Sequence, residues 1–568
     1  MRVLCGVGIA TVLLTILFLA VLGLADVTRA DSGALFVTLA GGGSACTQSQ
    51  PCSLAEALSK AVDGDALYLA AGTYTGSGAA VVTVTQSITI YGGWDGGTTT
   101  PPVRNPSAHV SILDGQGQRR GIYIAAGVAP VVDGCTVASG NASNGPDPCK
   151  GGGIYSRMAT PILANNVISG NVACTSAVSN ALGGGIYVVG AGRGASIMSN
   201  RVLSNIASTS CRGFGGGIWV DSCPRLSMVG NSIVSNTAST TGGLGSGGGI
   251  GMSSSEYALV DGNVIERNVA QGGPAPTWGS TGGGFYAASC SGVTVTNNLM
   301  QYNTASVPAN GQGGGAYLGG CDDAKVASNL LQGNVACAST TSDGAGRGGA
   351  FSAYNSRRVV ISANRVLSNI ASSNEWGYGG GFYFSRSTSF TMTNNIVAAN
   401  HASYKGGGIA FEASASQAVN GTLLHNTIVG NNAGGGDGRI GVYLNDVPVT
   451  LVMTNNIISG HTYGVYSSAG TTVTLNSTLF YADTSGDTGG PGSIVNTAAI
   501  TGQNPLLTAD YHLDFGSPAI NAGVNAGVTT DIDGDPRPCG AGYDIGADEA
   551  VPPHRLYLPR MLRNATGE

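Results

Sequence analysis

The sequence predicts an all-β chain wound as a parallel β-helix, on three observations. The pattern Asn-x-apolar-x-x-Asn occurs ten times, starting at Asn166, Asn200, Asn231, Asn263, Asn298, Asn329, Asn364, Asn395, Asn426 and Asn456, in steps of 30 to 35 residues. A unit of that size cannot bury its own apolar face, so copies must stack into one continuous core. Glycine supplies 93 of the 568 residues, and charged residues make up only 10%; ordinary domains hold roughly 7% and 25%, so long helices are disfavoured. Each repeat, residues 183–205 for example, holds three short apolar or alternating runs separated by Gly, Ser and Asn, each of strand length. Three strands and three turns per repeat describe a triangular coil, and about 13 coils at about 4.8 Å each make a body about 60 Å long.

The elements follow in order. Arg2 and the apolar run 3–25 predict an export signal spanning 1–30, although about 20 apolar residues also suffice for an uncleaved membrane span. Residues 31–100 are expected to form a cap and the first coils, 101–480 the β-helix repeats, 481–550 a C-terminal segment and 551–568 a tail. Twelve cysteines, eleven after loss of Cys5, suit an oxidising compartment. Cys46 and Cys52 flank a short loop and are disulfide candidates. Ser53 and Glu56 form a capping box for the helix "SLAEALSKAV", whose Leu54, Ala57, Leu58 and Ala61 plug the first coil. "DALYLAAGTY" follows as the first strand.

Within the repeats the asparagines are expected at bends, where Asn tolerates left-handed backbone, each amide bonding to the same amide one coil away. The second Asn of each pattern is followed two residues later by alanine, from Ala173 and Ala207 to Ala402 and Ala433, so only a small side chain fits that corner. His461 replaces the last second Asn, and the regular helix is expected to finish there. Cys223, Cys290 and Cys321 each fall eight residues after the first glycine of their repeat. Cys290 and Cys321 stand in consecutive coils, where a disulfide and a ladder of buried thiols are both compatible with strand spacing.

After each glycine cluster comes a trio read as inward, outward, inward. Tyr155, Tyr187, Trp219, Tyr286, Tyr317, Phe351, Tyr383, Tyr443 and Tyr466 take the middle place, so an aromatic column is expected on the outside of one sheet. Stacked rings stabilise a sheet by themselves; as an exposed platform they would also accept the faces of sugar rings.

Catalytic signals are sparse. Asp322 and Asp323 lie near the register of Arg357 and Arg358 one coil later. Acids holding Ca²⁺ beside an arginine base would suit a polysaccharide lyase, and a surface ion pair is the plainer reading. Six scattered histidines show no zinc spacing. In "DIDGDPRP", Asp531, Asp533 and Asp535 alternate as in calcium loops, but Pro536 and Gly542 exclude a complete EF-hand, leaving a looser Ca²⁺ site or a hydrogen-bonded turn. The net charge of −6 and the absence of a basic stripe exclude a nucleic-acid groove.

"NPLLTADYHLDFGSPAINAG", "DIDGDPRP" and "YDIGADE" resemble the C-terminal signature of the bacterial choice-of-anchor Q domain. "CSLAEALSKAVDGDALYLAAGTY" and "ITIYGGW" resemble the entry of pectin lyase-like helices, and the "GGGIY" repeats are similar to those of polymorphic outer-membrane proteins. The resemblance implies a single-stranded right-handed parallel β-helix displayed at the cell surface. The polygalacturonase motifs Gly-His-Gly and Arg-x-Lys and the clustered arginines of pectate lyases are missing, and residues 556–562 are an attachment motif of another kind or a plain tail. The expectation is a secreted or surface-displayed monomer without catalysis or an obligatory cofactor, serving adhesion or polysaccharide binding. A lyase or glycosidase centred on Asp322, Asp323, Arg357 and Arg358 is the alternative, and a structural stalk the third.

Overall fold

The computed structural model describes residues 33–551 except 178–179, 242, 274–278, 340–343, 374–375, 414–417, 432–438 and 446–447. The export signal, Ala433 and the motif at 556–562 lie outside the described residues. The chain is a right-handed parallel β-solenoid with one short helix. Three long parallel sheets of 14, 16 and 15 strands, here the front, back and side sheets, enclose one apolar core.

One rung shows the logic. Ile186–Val189 lies in the front sheet, Ser196–Met198 in the back sheet and Arg201–Leu203 in the side sheet. Ile186, Val188, Ile197 and Val202 point inward and are fully buried. The expected triangle is incomplete, because two more short strands, Ile206–Ser208 and Gly213–Phe214, precede the next front strand. Their equivalents form two seven-stranded sheets between Val172–Cys174 and Trp376–Tyr378, which we call the fin. Fin strands are only two or three residues long, too short for a strand signature. The alanine column lies inside the fin, with Ala207 and Ala238 fully buried. A Cβ on Gly213 would sit 1.6 Å from the Ala238 carbonyl oxygen, so the two layers meet at backbone distance.

Both asparagine ladders form. Asn200 donates through Nδ2 to Asn231 Oδ1 at 3.0 Å and to Leu163 O in the preceding rung at 2.8 Å, while its backbone N–H also reaches Asn231 Oδ1. The bend itself is made one residue earlier than expected: Asn165, Ser199, Ser204 and Ser235 carry the positive φ, and the ladder asparagine satisfies the polar groups that the bend exposes. His461 closes one ladder by accepting the N–H and Nδ2 of Asn431 at Nε2. The coil does not finish there but continues to Ile500–Thr501.

At the N-terminal end Ser53 Oγ accepts the Glu56 N–H and starts the helix Leu54–Lys60, which buries Leu54 and Ala57; the Glu56 side chain pairs with Lys60. The first strand is Ala34–Val37, stacked on Ala66–Ala70 of "DALYLAAGTY". The C-terminal segment turns back over the outer face of the side sheet. Asn394 Nδ2 donates to Thr530 O, Ala547 N–H reaches Thr427 Oγ1, and Ile396 and Ala398 pack on Ala547. Its signature residues hold this segment together. The buried Arg537–Glu549 pair, 2.8 Å apart, sits at its centre, and Glu549 also accepts the N–H groups of Cys539 and Asp544.

Candidate ligand-binding cleft

Parallel registry stacks Tyr155, Tyr187 and Trp219 down the front sheet, with Tyr286 and Tyr317 beyond the gap at Gly251. Tyr155 and Tyr187 stack at 5.3 Å, Tyr286 and Tyr317 at 5.5 Å. The column points away from the solenoid core as expected, but much of it is no exposed platform. Tyr155, Tyr187 and Trp219 are at most 6% exposed because the fin folds back over them, placing Leu182 and Phe214 against the rings. Phe351 does not belong to the column. It pairs with Ala316 and Phe382 and lies in the core, and Ser352 takes the outward place beside Tyr383. Phe351 stands three residues after the first glycine of its repeat, where Tyr187 stands four, and one residue of slip reverses the face.

The fin strand facing the front sheet changes character along the axis. Its outward column runs Leu182, Phe214, Ser246, Thr281, Gln312, Arg347, Tyr378. Where it turns polar, the space against the front sheet opens into a cleft of about 300 Å³ lined by Gln312, Arg347, Tyr354, Tyr383, Ser385, Arg386, Glu412 and Ala413. Tyr354, Ser385 and Glu412 stack in register, two positions from Ser352 and Tyr383, so alternate outward residues of three strands build the floor. Gln312 and Arg347 form the fin wall.

Within the cleft the Tyr383 hydroxyl donates to Glu412 Oε2. Burial and the neighbouring Glu412 charge raise the Tyr383 pKa, so its hydroxyl stays protonated and serves as a donor. Arg386 Nη1 donates to the Tyr354 hydroxyl at 2.8 Å. Arg347 lies over the rings of Tyr378 and Tyr383. Among the described residues neither guanidinium pairs with a carboxylate, and Glu412 is the one acid in the lining.

Asp323 and Arg358, catalytic candidates only under the enzyme alternative, form the surface ion pair of the plainer reading. Arg358 Nε and Nη2 grip Asp323 at 2.5 and 2.7 Å, which lowers the Asp323 pKa, and Asp322 Oδ1 accepts the Arg357 N–H. Both Asp323 and Arg358 are about half exposed and lie outside the lining of the cleft described above. Cys46 and Cys52 are bonded to each other, as are Cys149 and Cys174. Cys290 and Cys321 are not bridged. Cys321 Sγ accepts the Cys290 N–H at 3.4 Å, as Ser356 Oγ does for Cys321, so this column is a ladder of acceptors shared by cysteine and serine. Burial pushes the Cys223 thiol up to about 11.

The Asp531–Asp535 turn takes the hydrogen-bonded form. Asp531 Oδ1 accepts the N–H groups of Asp533 and Asp535 and its Oδ2 that of Glu549, and the three aspartates of the turn do not converge as a trio. Asp533 instead approaches His512 Nε2 at 2.6 Å, with Asp548 nearby, a trio that spacing alone did not reveal. Arg365 Nη2 lies 3.2 Å from that imidazole nitrogen, so a guanidinium already abuts the trio. No other trio of His, Cys, Asp or Glu converges among the described residues, and residues 163–346 contain no histidine. No helix among them is long and apolar enough to cross a membrane.

Solved structures similar to the chain include the periplasmic alginate epimerase AlgG, 12% identical over 78% of this chain and 82% of that one with a TM-score of 0.33. The catalytic unit of a GH87 α-1,3-glucanase from Streptomyces thermodiastaticus strain HF3-3 is 14% identical over 78% and 65%, TM-score 0.35. The Dettilon tailspike protein gp208 is 11% identical over 85% and 73%, TM-score 0.37. No curated protein matches. Over residues 163–346, within the coiled body, the chain is similar to the family described as periplasmic copper-binding protein (NosD).

Proposed function

We propose that the chain is an exported, non-catalytic β-helix that binds polysaccharide in the cleft between the fin and the front sheet. The cleft itself carries the reading. It joins the half-buried ring of Tyr354 to hydroxyl, amide and guanidinium donors, the mixture that sugar rings and their hydroxyls match. Glycoside hydrolysis needs two carboxyls about 5 to 9.5 Å apart, and Glu412, already accepting from Tyr383, is the lone carboxyl of the lining among the described residues. Two disulfides favour an oxidising compartment outside the cytoplasm, in keeping with the apolar N-terminal run and the periplasmic description of the NosD family. The copper in that description does not enter the reading, since the matched stretch brings no trio of His, Cys, Asp or Glu together among its described residues.

The test is co-sedimentation of purified residues 31–551 with plant, algal and microbial polysaccharides, with release of new chain ends followed in parallel. Wild-type binding without new ends, weakened about tenfold in Tyr354→Ala, is expected, since one aromatic contact contributes about 1 to 1.5 kcal/mol. Absence of binding to every polymer would refute the reading, and new ends that vanish in Glu412→Gln would replace it with an enzyme.

A further inference from the structure

Resting on that reading, we infer that the cleft selects a saccharide carrying an anionic substituent, a carboxylate or a sulfate ester, gripped between Arg347 and Arg386. The protein as a whole is acidic, with a formal net charge of −6. Yet the cleft lining brings together two arginines and a single acid. Some arginines elsewhere on this surface pair with carboxylates, Arg104 with Asp133, Arg358 with Asp323 and Arg365 with Asp533. Among the described residues Arg347 and Arg386 do not, although Glu412 lines the same cleft. That acid is engaged by the Tyr383 hydroxyl instead.

Both guanidiniums are positioned by aromatic rings. Arg347 rises from the fin strand Ala345–Arg347 and lies 5.5 and 6.0 Å from the ring centres of Tyr378 and Tyr383. Arg386 follows the front strand Phe382–Ser385 in a left-handed turn (φ 53°), lies 5.4 Å from the Tyr354 ring centre and donates to its hydroxyl. A ring face orients a guanidinium without consuming its donors. Each fork therefore keeps N–H groups for a ligand, from opposite walls of a cleft of about 300 Å³, a volume suited to one sugar unit. A planar carboxylate or a sulfate takes two parallel N–H donors from such a fork, and these bonds are about twice as strong as neutral ones.

The probes are matched pairs that differ only in charge: polygalacturonate against its methyl ester, and dextran sulfate against dextran. With the wild-type protein at low salt, at least one charged member should bind about tenfold or more tightly than its neutral partner, the preference shrinking as salt screens the exposed charges. The pair showing the preference tells carboxylate from sulfate. Arg347→Ala and Arg386→Ala should each remove most of it, and Arg347→Lys should restore only part, because lysine keeps the charge but loses the fork. The wild-type comparison stands whether or not the variants fold. Equal affinity within both pairs, or an unchanged preference in the folded double-alanine variant, overturns the inference and leaves polysaccharide binding intact. Failure of all four polymers, together with the broader panel, overturns both.

Discussion

Removing one ladder asparagine from the middle of the solenoid should cost far more than its single side chain suggests. Asn303 Nδ2 donates to Ile265 O at 2.8 Å and to Asn334 Oδ1 at 2.9 Å, and Asn303 Oδ1 accepts both the N–H and Nδ2 of Asn268 at 3.0 Å. Asn303→Ala deletes all four bonds and leaves the buried Asn268 N–H without its acceptor. Three bonds at about 1 kcal/mol each and one orphaned buried donor at about 1 to 3 kcal/mol give a loss of about 4 to 6 kcal/mol. Because rungs contact only their neighbours, the loss is felt first as local opening of strands Val264–Glu266 and Leu299–Gln301. Native-state hydrogen exchange reads it directly. The Asn268 amide should lose at least about two to three orders of magnitude of protection, about 1.4 kcal/mol corresponding to each factor of ten. Protection within a factor of about ten of wild type would refute the claim that these ladders hold the rungs together.

Trp219→Ala should destabilise the fin by about 3 to 5 kcal/mol, because the indole is buried under Phe214; an unchanged unfolding midpoint would return the aromatic column to the surface. Asp323→Ala should leave both the unfolding midpoint and glycan binding unchanged, as expected for an exposed pair outside the cleft. Arg537→Ala strands the buried Glu549 carboxylate and should cost about 3 to 5 kcal/mol, read as protease cleavage within 505–550 while the coils remain intact. The same segment should loosen as pH rises. Burial pushes Asp544 and Asp548 up to about 6, so their contribution is present below the ordinary carboxyl value and is lost as pH rises through about 6. Burial opposes charging of His512, but Asp533, Asp548 and Asp510 outweigh it, so that contribution is also lost as pH rises through its raised value. Amide exchange in 505–550, corrected for its intrinsic pH dependence, should be faster at pH 8 than at pH 5; the reverse order would contradict the assignment.

The coiled body was legible because stacking imposes a column on every residue that faces the axis. Ile186 over Ile218 repeats at a fixed count from the glycine cluster, Asn200 over Asn231 recurs within a residue of it, and identical neighbours satisfy each other in parallel register. The same regularity misled where a residue type was followed in place of the count, as at Phe351. Gly251 hides a related fact: a Cβ there would meet the Trp219 ring at 2.4 Å, so the gap in the aromatic column makes room for its largest member.

The amino-acid sequence by itself determined the solenoid, the ladders and the helix at its entry, since these depend on periodicity, small residues and local caps. Only the tertiary structure decided what lies outside the coil. The fin strands have too few side chains to mark themselves, yet their return over the front sheet buries Tyr155, Tyr187 and Trp219 and opens the cleft at Arg347. His512, Asp533 and Asp548 meet across 36 residues of chain because the C-terminal segment folds back on the side sheet. Proximity of that kind comes from how separate segments pack, and no period in the sequence records it.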